Sequence, residues 1–428
     1  MKKYYTHLLL VLFIMVNSAV LFAQVTIDAE FRPRTEFMQG YKKPLADTLS
    51  PALTTYQRTR LNAEYKSEEL ITRISLQDAR IWGNSNNKTS ASKIEMYEAW
   101  FEYIFTPGFS VKMGRQPLAY DDQRLFSASN WSNTGNSHDI LVLKYSGSIL
   151  DIHSGFAYNN SKDTLNIINY SYTPKQNYKA LWYLWLSKQV FKGASVSLMN
   201  VYEGFEKTND YKVLYPRLTY GIYLSYADDS SAWTGSISAN LQRGKNPGIK
   251  YKGGYADLKA YFFAGKLSYK FNPVISATIG VDYYSGSAAN LEAGKSKTYN
   301  RLYGSNHSLN GFMDYYTNLP AQGLINYYGG AAVKLSSVVS AELTGHLFYF
   351  EKDFVFSGVK TAKNLGGEAD LTLNYKPSKI VSLQGGFSMY FNSGATKKYF
   401  KLNNTDTHQN EWAYVMLTIQ PQLFKSDK

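Results

Sequence analysis

The chain has 428 residues, a formal net charge of +13 and no cysteine. The lack of cysteine excludes a disulfide framework and a thiolate metal site. After the N-terminal segment, no apolar run approaches the roughly 20 residues that a transmembrane helix needs, which excludes a helical membrane protein. Tyrosine (37 residues) and phenylalanine (23 residues) are nevertheless frequent. Many aromatic residues at low mean hydropathy favour a β-barrel with aromatic girdles and a polar lumen.

The first 23 residues have the pattern of a signal peptide. Lys2 and Lys3 precede an apolar run over residues 8–16, which is too short to span a membrane. Ala23-Gln24 is the expected cleavage point, although Leu21 is larger than the residue usual at that distance. We therefore predict a cleaved signal peptide at 1–23 and a single barrel domain at 24–428. An N-terminal membrane anchor is the alternative.

Apolar and polar residues alternate with a period of two along most of the mature chain, which is typical of half-exposed strands. Residues 233–242 are the clearest run, with one apolar and one polar face over the length of a tilted transmembrane strand. The same alternation occurs over 275–284, 365–374, 381–390 and 413–424. The last run ends on Phe424, and such a terminal strand resembles the signal that outer-membrane assembly machinery reads.

The connections alternate between short and long. Eight short connections are predicted near 66–69, 106–108, 146–148, 191–193, 227–230, 271–273, 335–337 and 376–378. Nine long ones are predicted near 38–55, 82–92, 117–138, 159–177, 204–215, 244–254, 286–322, 351–363 and 393–410. Short periplasmic turns and long extracellular loops are typical of outer-membrane barrels. We therefore predict an all-β fold, a single transmembrane antiparallel barrel of about 18 strands.

A soluble sandwich or a solenoid is the alternative fold. A sandwich would usually divide so long a chain into domains, yet the sequence has no linker-like segment. A solenoid would show a fixed-length repeat, and none is present.

The polar faces of the first four strands carry most of the charge. Strand alternation places Arg32, Arg34, Arg58 and Arg60 toward the lumen, followed by Arg73 on the third strand and Glu98 on the fourth. Arginine makes permanently charged, bidentate contacts to anions, and rings of basic residues are typical of anion-selective pores. The alternative is structural, because lumen arginines also pair with neighbouring acids simply to satisfy both. The lysine surplus could instead bind lipopolysaccharide phosphates.

The third strand also presents a conflict. Continued alternation directs Asp78 and Arg80 toward lipid, where a charge at mid-bilayer costs roughly 2–4 kcal/mol. Either a bulge shifts the register or both residues lie above the apolar band.

One polar stretch has neither strand alternation nor linker composition. It runs from Gly114-Arg115-Gln116 through Tyr120-Asp121-Asp122-Gln123-Arg124-Leu125 to Trp131 and His138-Asp139-Ile140-Leu141. It resembles the core motif of the alginate export family of outer-membrane porins. Gln77-Asp78-Ala79-Arg80 with Trp82-Gly83, and Leu302-Tyr303-Gly304 with His307 and 311–315, resemble the family's flanking motifs. The similarity covers nearly all of the mature chain, and the Lys- and Tyr-rich composition resembles that of Bacteroidota exports.

The resemblance implies an 18-stranded barrel with an electropositive constriction through which an anionic polyuronate diffuses. By motif position it implies pore charges at Arg73, Arg80, Arg115 and Arg124, held by Asp78, Asp121, Asp122 and Asp139. Glu98, placed by strand alternation, is predicted as a further charge partner. The loop at 117–138 would fold into or over the lumen. Short anionic oligosaccharides, or anionic nutrients in general, are equally compatible substrates.

The other function classes find little support in the sequence. An enzyme would need a catalytic or metal motif, and neither Gly-x-Ser-x-Gly nor His-Glu-x-x-His occurs. An adhesin would concentrate its distinctive residues in the loops, whereas here the strands carry the charge. We therefore predict a monomeric outer-membrane channel with no cofactor, no metal and no nucleic-acid partner. Its expected partners are an anionic saccharide or other anionic solute, outer-membrane lipid and lipopolysaccharide, and the barrel-assembly machinery.

Overall fold

A computed structural model describes residues 23–84, 94–160, 178–207, 210–305, 307–402 and 405–426, without the side chains of 207 and 210–212. The predicted signal peptide lies outside the described residues except for its last position. Eighteen antiparallel strands form a closed barrel. They are β1 (Gln24–Gln39), β2 (Ala52–Lys66), β3 (Leu70–Ile81), β4 (Glu95–Thr106), β5 (Phe109–Gln116), β6 (His138–Ser146), β7 (Asp151–Tyr158), β8 (Ala180–Phe191), β9 (Ala194–Lys207), β10 (Asp210–Ala227), β11 (Trp233–Tyr251), β12 (Gly254–Lys270), β13 (Ile275–Tyr284), β14 (Leu324–Lys334), β15 (Val339–Phe350), β16 (Asn364–Tyr375), β17 (Val381–Asn392) and β18 (Asn410–Ile419).

Each strand pairs with the next in sequence, and β18 pairs with β1 to close the barrel, with Phe31 opposite Ile419 and Phe37 opposite Ala413. A short segment, Gln422–Lys425, continues β18 along β1. Closure removes every free strand edge, which lets a sheet cross a bilayer with its backbone groups satisfied. The predicted all-β class and the count of 18 strands are confirmed.

Alternation along the strands separates an apolar outer face from a polar inner one, as predicted. On β11, Ile237 and Leu241 are exposed on the outside, whereas Ser238 and Asn240 between them are buried inside. The same division holds on β2, where Leu61 is exposed and Arg60 is buried. No helix within the described ranges has the length and apolar character to cross a membrane.

All eight predicted short turns lie between consecutive strands at one end of the barrel. Two predicted long loops are wrong, however, because 204–215 and 244–254 are largely strand. β9 and β10 remain paired up to Lys207 and Asp210, and β11 and β12 remain paired up to Tyr251 and Gly254. Glycine at 253 has φ +73°, which permits the tight turn of the second hairpin.

Two of the connections that the structure describes fold into the barrel. We call residues 117–137 L3 and residues 285–323 L7. L3 packs its apolar side chains against β8 and β9, with Phe126 fully buried against Tyr183. L7 packs in the same way against β13 to β18, with Met313 and Tyr316 buried. The buried core of the protein therefore lies inside the loop-bearing half of the barrel.

The remaining elements are short and lie in connections. Lys295–Ser296 of L7 pairs in parallel with β12. Val355–Phe356 and Val359–Lys360 form a small hairpin between β15 and β16. Helix α1 (Gly394–Tyr399) follows β17, and the Ser393 hydroxyl caps it by accepting from the backbone N–H groups of Ala395 and Thr396.

Candidate functional site: the loops that constrict the lumen

Four arginines predicted from strand alternation do face the interior. Arg32, Arg34, Arg58 and Arg60 are 4%, 6%, 0% and 8% exposed. They are not free to line an open passage, because their guanidinium groups bind the backbone of L3. The carbonyl oxygens of residues 130–132 and 134 of L3 belong to no strand or helix, and the arginines supply hydrogen-bond donors to these partly buried groups.

The contacts of Arg32 and Arg58 fix residues 130–132 of L3. Arg32 donates to the carbonyl oxygens of Asn130 (2.6 Å), Trp131 (3.2 Å) and Ser132 (2.9 Å). Arg58 donates to the carbonyls of Asn130 and Ser132, both at 3.1 Å, and to the Asn130 side chain at 2.8 Å. Arg58 also pairs with Glu30 at 2.5 Å. The L3 backbone is therefore clamped by two charged donors.

Arg34 and Arg60 extend this clamp to either side. Arg34 donates to the Trp131 carbonyl (2.7 Å), lies 4.0 Å from the centre of the Trp131 ring and pairs with Glu36 at 2.7 Å. Arg60 donates to the Thr134 carbonyl at 3.3 Å and stacks 3.5 Å above the Tyr97 ring. The four arginines thus anchor L3 to the wall of β1 and β2.

L3 reaches the opposite wall through Arg124. Its guanidinium pairs with Asp122 within the loop (2.9 Å) and with Asp282 on β13 (2.8 Å), and it donates to the Tyr284 hydroxyl (3.1 Å). Burial alone would lower the pKa of Arg124, but Asp282, Tyr284 and Asp122 together raise it above its ordinary value. The Arg124 guanidinium therefore stays protonated and positively charged inside the barrel.

A third attachment joins the start of L3 to β7, β8 and β9. The Tyr120 hydroxyl lies 3.0 Å from the His153 ring and 2.8 Å from the Tyr183 hydroxyl. Asp121 accepts from Ser197 (2.7 Å) and Trp185 (3.1 Å). Burial raises the pKa of Asp121 above its usual range, and these two hydrogen bonds only partly offset that effect. L3 contacts three separate parts of the wall and so crosses the lumen.

L7 binds the exposed side of L3. The backbone of Tyr303 bonds to two residues of L3: its N–H donates to the Leu125 carbonyl at 3.0 Å, and its carbonyl accepts from the Ser127 N–H at 3.0 Å. The rings of Trp131 and His307 stack at 4.1 Å and 9°. L7 itself is held on β16, where Glu368 accepts from the Met313 N–H at 2.7 Å. The two sequence motifs singled out at 114–131 and 302–315 therefore form one unit.

The backbone of both loops is strained where they meet. Six of the ten described non-glycine residues with positive φ lie in L3 and L7: Asp121, Gln123, Ser129, Leu302, Ser308 and Asp314. Such conformations cost of order 1–3 kcal/mol each and persist only where neighbouring contacts impose them. The concentration of strain supports a functional constraint on the shape of these loops.

Other predicted site residues do not enter the lumen. The β2–β3 register is continuous and sets Asp78 opposite Thr59 and Arg80 opposite Gln57, on the outward face. The nearby bulge lies in β4, where the ladder with β3 shifts between Ser75 and Leu76. Asp78 and Arg80 neutralise one another at 2.5 Å near the loop end of β3. Their position near the loop end of β3 fits the second of the two expectations for this pair, and their outward direction contradicts their placement as pore charges.

Arg115 and Asp139 require the same correction. They are opposite one another on β5 and β6 and share the outward face with Met113 and Leu141. Their ion pair spans 3.2 Å and is exposed, at 41% and 68% of the two side chains. Similarity to the family motif suggested a pore role for both residues. That role is wrong, because sequence similarity does not specify which face of the strand a side chain occupies.

Arg73 and Glu98 do face the interior, as predicted, below L3. Arg73 lies 3.1 Å from Glu64 and 3.6 Å from Glu98. A second group beside them, which the sequence reasoning missed, joins Lys144 to Glu102 at 3.0 Å. The polar-face alternation of β4 and β6 could have identified it. No three metal-ligating side chains converge within the described part of the chain.

A cavity of about 540 Å³ lies beneath L3 and L7, against β10 to β15 and away from the arginine wall of β1 and β2. Arg124 and Asp122 lie at its roof, and Lys266 and Glu342 lie on its wall. This cavity was not predicted from the sequence, although small residues on the inner faces of these strands indicate open space.

An 18-stranded closed barrel with an apolar exterior and inward-folded loops defines the class of outer-membrane channel barrels. The family model for alginate export matches residues 56–398, and the chain belongs to the alginate export family. Comparison with curated proteins gives no match.

Solved outer-membrane porins share this fold at low sequence identity. A BenF-like porin from Pseudomonas fluorescens Pf-5 aligns with a TM-score of 0.63 at 10% identity, covering 93% of this chain and 99% of that one. OccAB2 from Acinetobacter baumannii aligns at 0.61 and 11%, covering 94% and 98%. OprD from Pseudomonas aeruginosa aligns at 0.59 and 12%, covering 95% and 96%. These likenesses establish the fold alone.

Proposed function

We propose that the protein is an outer-membrane channel through which anionic solutes diffuse, namely alginate-like polyuronates or anionic oligosaccharides. The observation that carries this proposal is the charge balance of the L3 anchor. Four guanidinium groups lie there against two carboxylates in contact with them, Glu30 and Glu36. The L3 carbonyls that complete the contacts are neutral, so the anchor keeps an excess positive charge.

This excess charge is buried, and burial does not remove its effect on the lumen. A charge surrounded by low-dielectric material is weakly screened, and walls of one sign raise the local concentration of the opposite ion. Arg124 adds a fifth guanidinium at the constriction, balanced by Asp122 and Asp282. Membership of the alginate export family supports a polyuronate as the solute.

A porin for small anionic nutrients is the second candidate. The cavity beneath L3, at about 540 Å³, falls within the roughly 300–1,000 Å³ typical of small-molecule sites. This size favours a short solute over a polymer that fills the whole lumen. The family and the structural neighbours are channels, and we infer no catalytic role. The signal peptide, the monomeric state and the lipopolysaccharide contact stay predictions.

The proposal is tested in planar bilayers with the purified full-length barrel. We expect a reversal potential in a KCl gradient that shows preference for chloride over potassium. Uronate oligomers should block the current, whereas neutral oligosaccharides of the same length should not. Block by a small carboxylate without block by oligomers would favour the nutrient porin. Cation preference would refute both candidates.

A further inference from the structure

The cavity beneath L3 lies on the side of the lumen opposite the arginine wall. Its strand lining comes from β10 to β15, and none of Arg32, Arg34, Arg58 or Arg60 contributes. In a barrel of 18 strands, β10 and β11 are about as far as possible from β1 and β2. The open space and the main positive cluster are therefore separated.

The size of the inward side chains explains this asymmetry. Part of the inner face of β12 to β15 carries small residues, whereas β1 and β2 carry arginine and glutamate. Ladder pairing places the small residues Thr278, Gly330 and Thr344 in one row, and Ser276 and Ala332 in the next row, which ends at Glu342. A guanidinium fills several times the volume of a methyl or hydroxyl group, so the lumen is closed on the arginine side and open here.

Lys266 is the cation that this wall presents to the cavity. It lies on the inner face of β12 in a ladder row with Gly280 of β13 and Tyr328 of β14. Its side chain is exposed to the cavity, and within the described ranges it makes no ion pair. Arg124, in contrast, is neutralised by two carboxylates at the roof.

We propose that solutes cross the barrel along the wall of β10 to β15, and that Lys266 is the specificity-determining cation on that path. The assignment of an anionic saccharide as the solute rests on the function proposed above. The route itself does not, because it follows from the cavity and the small side chains alone. Glu342 lies further along the same wall and limits the positive region to the part nearer L3.

The route is tested with single cysteines, since the chain contains none of its own. Ala332→Cys places a thiol on the cavity wall, and Thr344→Cys provides a second position in case the first variant assembles poorly. Ser75→Cys is the matched control on the inner face of β3, on the opposite side and fully buried. Each barrel is treated with a bulky methanethiosulfonate reagent, and labelling is read by mass spectrometry alongside single-channel current.

We expect reagent at Ala332→Cys or Thr344→Cys to attach and to reduce the current severalfold, while Ser75→Cys neither labels nor changes the current. Equal block at the two sides, or block only at Ser75→Cys, would overturn the route. Labelling at Ala332→Cys and Thr344→Cys without loss of current would overturn it as well.

The role of Lys266 is tested by charge removal. Lys266→Gln should lower the chloride-to-potassium permeability ratio by about threefold or more, a smaller effect than the roughly 10–10³-fold of a whole cleft lined by charges of one sign. Lys266→Arg should preserve the ratio. Lys112→Gln is the control, since Lys112 projects from β5 over the Trp100 ring on the other side.

An unchanged ratio in Lys266→Gln, in a barrel whose wild type prefers anions, would overturn the role of Lys266 alone. A wild type without anion preference would overturn the proposed function and leave the cysteine result to decide the route.

Discussion

Arg58 offers the sharpest test of how L3 is held in place. Its side chain has no solvent exposure, pairs with Glu30 and donates three hydrogen bonds to Asn130 and Ser132 of L3. Replacing Arg58 with alanine removes these donors and leaves the Glu30 carboxylate without its main partner. Breaking a buried pair in this way costs about 3–5 kcal/mol. Because tenfold corresponds to about 1.4 kcal/mol, release of L3 should become more frequent by about 100-fold or more.

The assay combines single-channel recording with amide hydrogen exchange of L3. We expect Arg58→Ala to show frequent high-conductance openings and loss of protection across residues 128–134. Arg115→Ala is the matched control, because its pair with Asp139 is exposed and such pairs contribute about 0–1 kcal/mol. The double variant Glu30→Gln with Arg58→Met removes the uncompensated charge and should recover part of the lost stability.

One outcome would refute this reasoning. If Arg58→Ala keeps L3 protected, keeps the conductance of the wild type and only lowers the anion preference, then Arg58 acts as a pore charge and not as an anchor. A loss of less than about 1 kcal/mol in the free energy of unfolding, typical of exposed pairs, would point the same way.

Three further predictions concern the attachment of L3 to β8 and β9 and its junction with L7. Partial desolvation holds the pKa of Asp121 above its unfolded value, so ionisation costs stability as pH rises through the folded pKa. Asp121→Asn should therefore be slightly more stable than wild type at pH 7 in urea unfolding, and the gain should be small because the side chain is in part exposed to solvent. A gain that persists below about pH 4 would contradict this. Trp131→Ala loses the stack on His307 and should lower the free energy of unfolding by roughly 2–4 kcal/mol. Trp131→Phe should recover part of that loss. Unchanged proteolysis of L3 in Trp131→Ala would contradict the prediction. Gly304→Ala places a methyl group against the backbone carbonyl oxygen of Arg124 in L3 and should lower the free energy of unfolding by roughly 1–3 kcal/mol. Gly394→Ala is the control, because its methyl group meets no atom within 4 Å. Equal melting temperatures for the two variants would refute the close contact.

The strand alternation and the turns could be predicted from the sequence because both are local. In a strand that separates lipid from a polar interior, apolar and polar side chains must alternate with period two. This rule correctly places Leu61 outside and Arg60 inside. The same rule correctly directed Asp78 and Arg80 outward. Motif similarity failed for Arg115 and Asp139, because it marks a position in the chain and not a face of the sheet.

The class of fold, the number of strands and the inward face of the charged wall could be predicted from the sequence, since each follows from residues adjacent along the chain. The role of that charge depends on contacts between residues that are distant along the chain. Residues 32 and 130 are far apart in sequence, and their contact depends on L3 folding back into the lumen. Backbone carbonyl groups of L3 then accept hydrogen bonds from the arginines that strand alternation alone would have placed along a pore. The open cavity lies instead against small residues on the far wall, a consequence of packing around the whole barrel.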